Sequence, residues 1–273
     1  SAILVRFSQA PSGVTAAYRL GWTVLLLLPV VLLRCRAELR RVTARDLVLC
    51  GASGVLLALH FLTWFESLKR TSVASSTVLV STEVIFTALG FALFLHGKIP
   101  RLGVWAILLA FGGSALLALS GGGGAGELSG NLLALAAASA AAVYTLIGRI
   151  QRGHLSTTVY TFLTYLACFL TLLLGTAAAG TPLTGYGGRE WLIGLALAVL
   201  CTLLGHSLFS WCLKYLSPSY VSAAKLCEPV FSSLAAIPLF GEVPGPLQLA
   251  GGAAVLGAVL LYTWAEREKT PAG

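Results

Sequence analysis

Apolar residues along this chain come in long blocks parted by short polar gaps. A helix needs about 20 consecutive apolar residues to cross a bilayer, and each block is close to that length. The blocks fall at Val14–Leu33, Leu47–Leu68, Ser72–Leu95, Gly103–Ser120, Gly130–Ile150, Thr157–Ala179, Trp191–Tyr215, Ser219–Phe240 and Pro246–Trp264. The opening stretch SAILVRF continues the pattern but is too short to span. Nine whole spans and a partial one predict an all-α membrane protein with ten transmembrane helices, the first truncated. Gaps of 3 to 6 residues between several blocks call for tight helical hairpins.

Two of these blocks carry an acid where hydrocarbon is expected. Glu83 sits near the middle of SVASSTVLVSTEVIFTALGFALFL, and Glu228 within YVSAAKLCEPVFSSLAAIPLF. A charge at the centre of a membrane helix costs about 2.5–3.5 kcal/mol on insertion scales, so it is normally kept for a cavity, a partner or a pathway. The two blocks match each other. Leu68-Lys69, Ser72, Glu83 and Phe86 correspond to Leu213-Lys214, Ser217, Glu228 and Phe231, all 145 residues on. Gly97-Lys98-Ile99-Pro100 lines up with Gly241-Glu242-Val243-Pro244 at 144, and Arg6 with Arg149 at 143. The chain contains no methionine and opens inside an apolar pattern, so the start of the first helix is expected to be missing.

A repeat of five spans is odd, so two copies in one chain enter the membrane in opposite directions and form a 5+5 inverted-topology repeat. The expected boundaries are 1–120 for the first five-helix repeat and 121–129 for a Gly-rich linker. The second repeat follows at 130–265, then a cytoplasmic tail at 266–273. In such an arrangement Glu83 and Glu228 approach each other near the midplane.

Composition supports the membrane class: 57% of the 273 residues are hydrophobic and only 10% charged, too few polar residues to cover a soluble domain of this length. The excess of 18 Lys+Arg over 10 Asp+Glu does not mark a nucleic-acid surface, because the basic residues lie in the short gaps. One side collects Arg34, Arg36, Arg40, Arg41, Arg45, Lys98, Arg101, Arg149, Arg152, Lys214, Arg267 and Lys269, and the other Arg6, Arg19, Lys69, Arg70 and Arg189. That asymmetry predicts a multi-pass protein of the cell (inner or plasma) membrane with both termini cytoplasmic. The six cysteines are scattered singly, without metal-ligand or disulfide spacing, and read as small packing residues. HExxH, GxSxG and Walker motifs are missing, so neither an enzyme, a cofactor nor a metal is expected.

Several polar residues recur at helical spacing. Ser72, Ser76, Glu83 and Thr87 share one face of the fourth span. Lys225 and Glu228, three apart, can meet as an ion pair; the lysine can instead address a carboxylate or phosphate on a substrate. Pro229 removes an N–H and is expected to leave the Lys225 carbonyl without its helical partner. His60 and Trp64 lie four apart on the third span, and Thr202, His206 and Ser210 form a stripe on the eighth with Trp211 beside it. The histidines miss strict repeat register by one residue and serve either as packing residues or as proton acceptors. Trp64, Trp211, Tyr144 and Phe86 are expected to wall an apolar cavity. Gly112-Gly113, Gly251-Gly252 and Gly257 permit close helix contact.

The segments WFESLKRTSVASSTVLVSTEVIFTALGFALFLHGK and SWCLKYLSPSYVSAAKLCEPVFSSLAAIPLFGEVP resemble the two signature segments of EamA-type proteins of the drug/metabolite transporter superfamily. Cys227-Glu228-Pro229, Phe240-Gly241-Glu242 and the Gly-rich last span carry the resemblance best; Lys98 departs from it where the second half has Glu242. The resemblance implies ten spans around a central cavity lined by spans 1, 3, 4, 6, 8 and 9. On those helices lie Glu83, Glu228, Lys225, His60, Trp64, His206, Trp211 and Tyr144, the expected substrate and proton pathway. The implied activity is export of a small metabolite, such as an amino acid, by alternating access in the lipid bilayer, with protons as coupling ion. An organic-anion or sugar-phosphate exchanger and a non-transporting scaffold are the competing readings.

Overall fold

The computed structural model of the chain describes residues 1–94, 100–120, 125–216, 218, 221, 225 and 227–267. Among them the regular secondary structure is helical: α1 (Ala2–Phe7), α2 (Ser12–Arg34), α3 (Arg36–Leu39), α4 (Ala44–Arg70), α5 (Val73–Val80), α6 (Glu83–Phe94) and α7 (Arg101–Ser120). Then come α8 (Ala125–Gln151), α9 (Thr157–Ala178), α10 (Gly188–Ala196), a π-helical segment (Leu197–His206), α11 (Ser207–Cys212), α12 (Cys227–Phe240) and α13 (Pro246–Arg267). Seven helical stretches among the described residues are long and apolar enough to cross a membrane, and two shorter apolar helices cover Arg101–Leu117 and Glu228–Phe240. Lys98, the glycines 121–124, the start of the ninth span at Ser219 and residues 268–273 of the tail lie outside the described residues. Residues 125–129 of the expected linker are the first turn of α8.

Helix starts follow local side-chain chemistry. The Ser72 hydroxyl accepts the Ser75 N–H at the head of α5, and Ser156 accepts the Val159 N–H at the head of α9. At α4, Thr43 and Asp46 cap each other: the Thr43 N–H donates to Asp46 Oδ2 at 3.0 Å and the Asp46 N–H to Thr43 Oγ1 at 3.2 Å.

The expected single helix over Ser72–Leu95 is interrupted. The N–H groups of Thr82 and Ile85 bond carbonyls only three residues back, Leu79 at 3.1 Å and Thr82 at 2.9 Å, which is a tighter winding than the α-helix. The cause lies in the run of hydroxyl residues. Thr77, Ser81 and Thr82 each donate to a carbonyl of the preceding turn at 2.7–2.8 Å, an interaction that bends helices. Glu83 therefore becomes the first residue of α6, at a helix N-terminus that favours negative charge.

The chain forms two compact units. The first comprises residues 3–65 and 143–216, with α2 laid along α9 and α10. A side chain on Gly54 would strike the Thr164 carbonyl at 2.6 Å, so α4 and α9 meet backbone to backbone there. The second comprises residues 66–142 and 217–273. Its α7 and α13 touch through Gly113 and Gly251, where a Cβ on either would lie 2.8–2.9 Å from the other's carbonyl oxygen. Around that contact Val84, Ile85 and Ala88 of α6, Ala106 and Ala110 of α7, and Ala258, Val259 and Tyr262 of α13 form one buried cluster. Gly112 and Gly257 have open space at the Cβ position, so the close approach rests on Gly113 and Gly251. Leu33, Leu174, Leu192 and Leu260 face outward, as a surface bathed in hydrocarbon allows.

Candidate functional site: a buried ion pair and a histidine cluster

In the second unit, Lys225 Nζ lies 2.9 Å from Glu83 Oε1 and 3.0 Å from Oε2. Both ends are largely withdrawn from contact, with side-chain exposures of 8% for Glu83 and 21% for Lys225. Glu228 is in the first turn of α12, as Glu83 is in that of α6. The two acids thus share a helix-N-terminal setting, and the lysine's bond to Glu83 connects segments 142 residues apart. Pro229 has no N–H to give the Lys225 carbonyl its helical partner, and that carbonyl accepts the Glu228 N–H at 2.9 Å in a tight turn instead. Thr87, one turn beyond Glu83, is buried, and its hydroxyl has no hydrogen-bond partner among the described residues. Ser72 and Ser76 do not continue this face. Ser72 caps α5 and also accepts from Gln248 Nε2 at 2.6 Å, while the Ser76 hydroxyl meets Ser67 at 2.9 Å. The break at Ser81–Thr82 explains why the expected stripe divides. Glu242 acts locally, its carboxylate accepting the Val73 N–H at 2.7 Å at the head of α5.

In the first unit, α4, α8 and the π segment bring His60, Trp64, Tyr144 and His206 together. The His60 ring stacks on Trp64 at 5.7 Å and lies 6.4 Å from the His206 ring, which is also 6.4 Å from Tyr144. The expected stripe on the eighth span is realised. Thr202 takes a bond from Arg19, His206 faces the rings, and the Ser210 and Tyr144 hydroxyls are 3.2 Å apart. Winding at more than four residues per turn shifts side-chain azimuths away from those of an α-helix, which lets His206 reach this cluster despite its missed repeat register. Trp64 Nε1 is a buried donor with no acceptor among the described residues.

Trp211 does not join these rings. Trp211 is half exposed and packs on Tyr215 at 5.0 Å, because five residues past His206 carries it well round the helix. Phe86 meets Phe111 edge-on at 6.5 Å.

Three residues of the first unit carry more than the sequence pattern assigned to them. Arg19, counted above with the loops, is in α2 and fully buried. Its Nε donates to Thr202 Oγ1 at 2.7 Å and its guanidinium lies 4.2 Å above the Phe61 ring, which His206 approaches at 5.5 Å. The Thr202 hydroxyl passes its own proton to the Leu197 carbonyl at 3.2 Å. Asp46 Oδ1 lies 2.7 Å from His154 Nε2, a hydrogen-bond distance, and also accepts from Gln151 Nε2 at 3.2 Å. The Thr43-x-x-Asp46 capping signature was the readable signal for the acid. Arg152, between α8 and α9, donates to the Ser210 carbonyl at 3.0 Å and to that of Leu155. Burial pushes its guanidinium down from the ordinary value, partly offset by Tyr215, Glu38 and Tyr160. Among the described residues, no group of three or more His, Cys, Asp or Glu is placed to hold a metal ion.

The fold is similar to that of a solved protein crystal structure, with a TM-score of 0.66 at 20% identity, covering 98% of this chain and 93% of that one. The chain is 24% identical over 207 residues to the pseudopaline exporter CntI of Pseudomonas aeruginosa, covering 76% of this chain and 72% of the relative. It is 28% identical over 233 residues to a probable terminal-alkyne amino-acid exporter of Streptantibioticus cattleyicolor, covering 81% and 75%. The EamA-like transporter family matches over residues 2–119 and 128–264. With two consecutive matches that together take in nearly its whole length, and seven membrane-length helices among the described residues, this multi-pass membrane protein belongs to the EamA-like transporter family.

Proposed function

We propose that this chain exports a small zwitterionic or amphipathic metabolite of the amino-acid class by alternating access, as a secondary transporter with protons as coupling ion. The observation that carries the reading is the Glu83–Lys225 pair, two opposite charges held among apolar helices where neither is needed to hold a surface together. Such a pair can exchange its internal bond for bonds to a ligand carrying both signs, an ammonium on the acid and a carboxylate on the lysine. Within the first unit, the His60–Trp64–Tyr144–His206 cluster by itself supports binding of an organic group, with Trp64 Nε1 available as a donor. Two relatives, one named as a pseudopaline exporter and one as a probable terminal-alkyne amino-acid exporter, support export of a small metabolite. The architecture we attach to this function is ten spans in a 5+5 inverted repeat, with both termini cytoplasmic in the cell membrane.

The buried Arg19 favours one competing reading, an organic-anion exchanger. Thermal-shift screening of the purified full chain against amino acids, amines, nucleosides and sugar phosphates separates the two, since a ligand that prefers the folded state raises the melting temperature. Stabilisation by amino acids that is lost in Glu83→Gln supports the proposal. Stabilisation by sugar phosphates alone, unaltered in Glu83→Gln, transfers it to the anion exchanger.

A further inference from the structure

The first unit contains a cavity of about 280 Å³ lined by no charged or histidine side chain. Tyr18, Gly21 and Trp22 of α2 form one wall, Phe169 and Leu173 of α9 another, and Trp191 of α10 closes it. We propose that this cavity binds a single acyl chain drawn from the surrounding bilayer.

Four observations carry the assignment. The lining is almost entirely carbon and includes no ionisable side chain except Tyr18, whose hydroxyl is already committed to the Leu183 carbonyl. A zwitterion or an organic anion meets no charged side chain there, only the Thr184 hydroxyl and the indole N–H groups of Trp22 and Trp191, so the site differs in chemistry from the Glu83–Lys225 pair. The volume lies just under the range of about 300–1,000 Å³ usual for small-molecule sites, which suits one flexible tail better than a bulky ligand. The mouth is marked by lining residues that are themselves exposed, Leu25 at 60% and Trp191 at 44%. On either side of them Leu28 of α2 and Leu192 of α10 are exposed too. In a membrane-spanning protein such a surface touches acyl chains, so the cavity opens into the solvent that supplies its occupant.

The walls are rigid for the same reason that they are apolar. Trp191 stacks on Tyr18 with ring centroids 4.0 Å apart and meets Trp22 edge-on at 6.3 Å, so three rings brace one another. Gly21 keeps the floor open, since a Cβ there would stand 3.1 Å from the Phe169 ring. Tryptophan and tyrosine gather where a bilayer meets water, which places a chain's upper methylenes beside this aromatic wall.

The test uses the full chain reconstituted in bilayers containing phosphatidylethanolamine with a diazirine in one acyl chain. Photolabelled peptides are then mapped in the native chain, in Gly21→Leu, which fills the floor, and in Leu173→Phe, which fills the opposite wall. The expected result is label concentrated on the α2 and α9 segments lining the cavity. That label is lost in both variants, while label at the exposed Leu260 of α13 is unchanged. Monodisperse elution with native helicity qualifies each variant, and either alone suffices. Label spread evenly over exposed leucines, or undiminished in a folded filled variant, overturns the proposal by reducing the lipid to an annular contact. Failure to label the cavity together with stabilisation by indole also overturns it, in favour of a water-borne aromatic. The inference needs only the membrane setting, so a negative result in the transport screen leaves it untouched.

Discussion

Lys225 Nζ closes on both carboxylate oxygens of Glu83, at 2.9 and 3.0 Å, and so ties the turn before α12 to the head of α6. Each charge is tolerable because the other is present. Removing one partner of a buried pair leaves an uncompensated charge, whereas replacing both removes the problem.

Glu83→Gln is therefore expected to destabilise the protein by about 3 kcal/mol, the low end for a broken buried pair because Lys225 keeps some exposure. The double variant Glu83→Gln, Lys225→Gln should recover most of the lost melting temperature but no transport in proteoliposomes. Recovery of both would make the pair a structural device alone.

Trp64→Phe keeps the stack on His60 and deletes a buried N–H that has no acceptor among the described residues. Stability should hold or rise slightly, because an unsatisfied buried donor is a cost to the fold. If a substrate oxygen uses that donor, its affinity falls by roughly tenfold, the worth of one hydrogen bond. Equal thermal-shift titrations for native and variant protein would exclude Trp64 from binding.

Gly113→Val and Gly251→Val should each lower the melting temperature markedly, since a side chain at either position meets the opposing backbone under 3 Å. Gly112→Ala and Gly257→Ala, with open space at the Cβ, should be neutral or stabilising by up to about 1 kcal/mol. Thermal unfolding of the four variants side by side reads the difference, and equal losses would place the α7–α13 contact elsewhere.

Asp46→Ala removes the cap of α4 and the anchor for Gln151 and His154, at an expected cost of about 1–2 kcal/mol. His154→Ala removes only a partner whose side chain is 53% exposed, so the loss should stay under about 1 kcal/mol. A larger effect from His154 than from Asp46 in chemical denaturation would reverse this assignment.

Hydropathy alone located the seven membrane-length helices, because burial in lipid requires long apolar blocks and little else. The acids were legible for the same reason, as exceptions to that requirement. Their partner was not: the bond from Lys225 to Glu83 crosses 142 residues and depends on packing that no local spacing encodes. Arg19 was hidden in plain sight. A single charge hardly changes a hydropathy window, and a count of loop charges took it for a topology marker, while burial against Phe61 and Thr202 is a tertiary fact. Trp211 packs on Tyr215 and not on His206, because nearness in sequence does not set azimuth. The break at Ser81–Thr82 had a local signal, the hydroxyl run Ser75-Ser76-Thr77 and Ser81-Thr82, whose strength showed only once the back-bonds were formed.

The wide winding at Leu197–His206 has one more implication. A π turn is an α-helix that has taken up an additional residue without breaking, so this segment holds surplus length while the helix continues into α11. Excising one residue there would let the turns tighten to ordinary pitch, which offsets the lost residue, so His206, inside the segment, would be displaced from His60 and Tyr144 while Ser210 beyond it keeps its face.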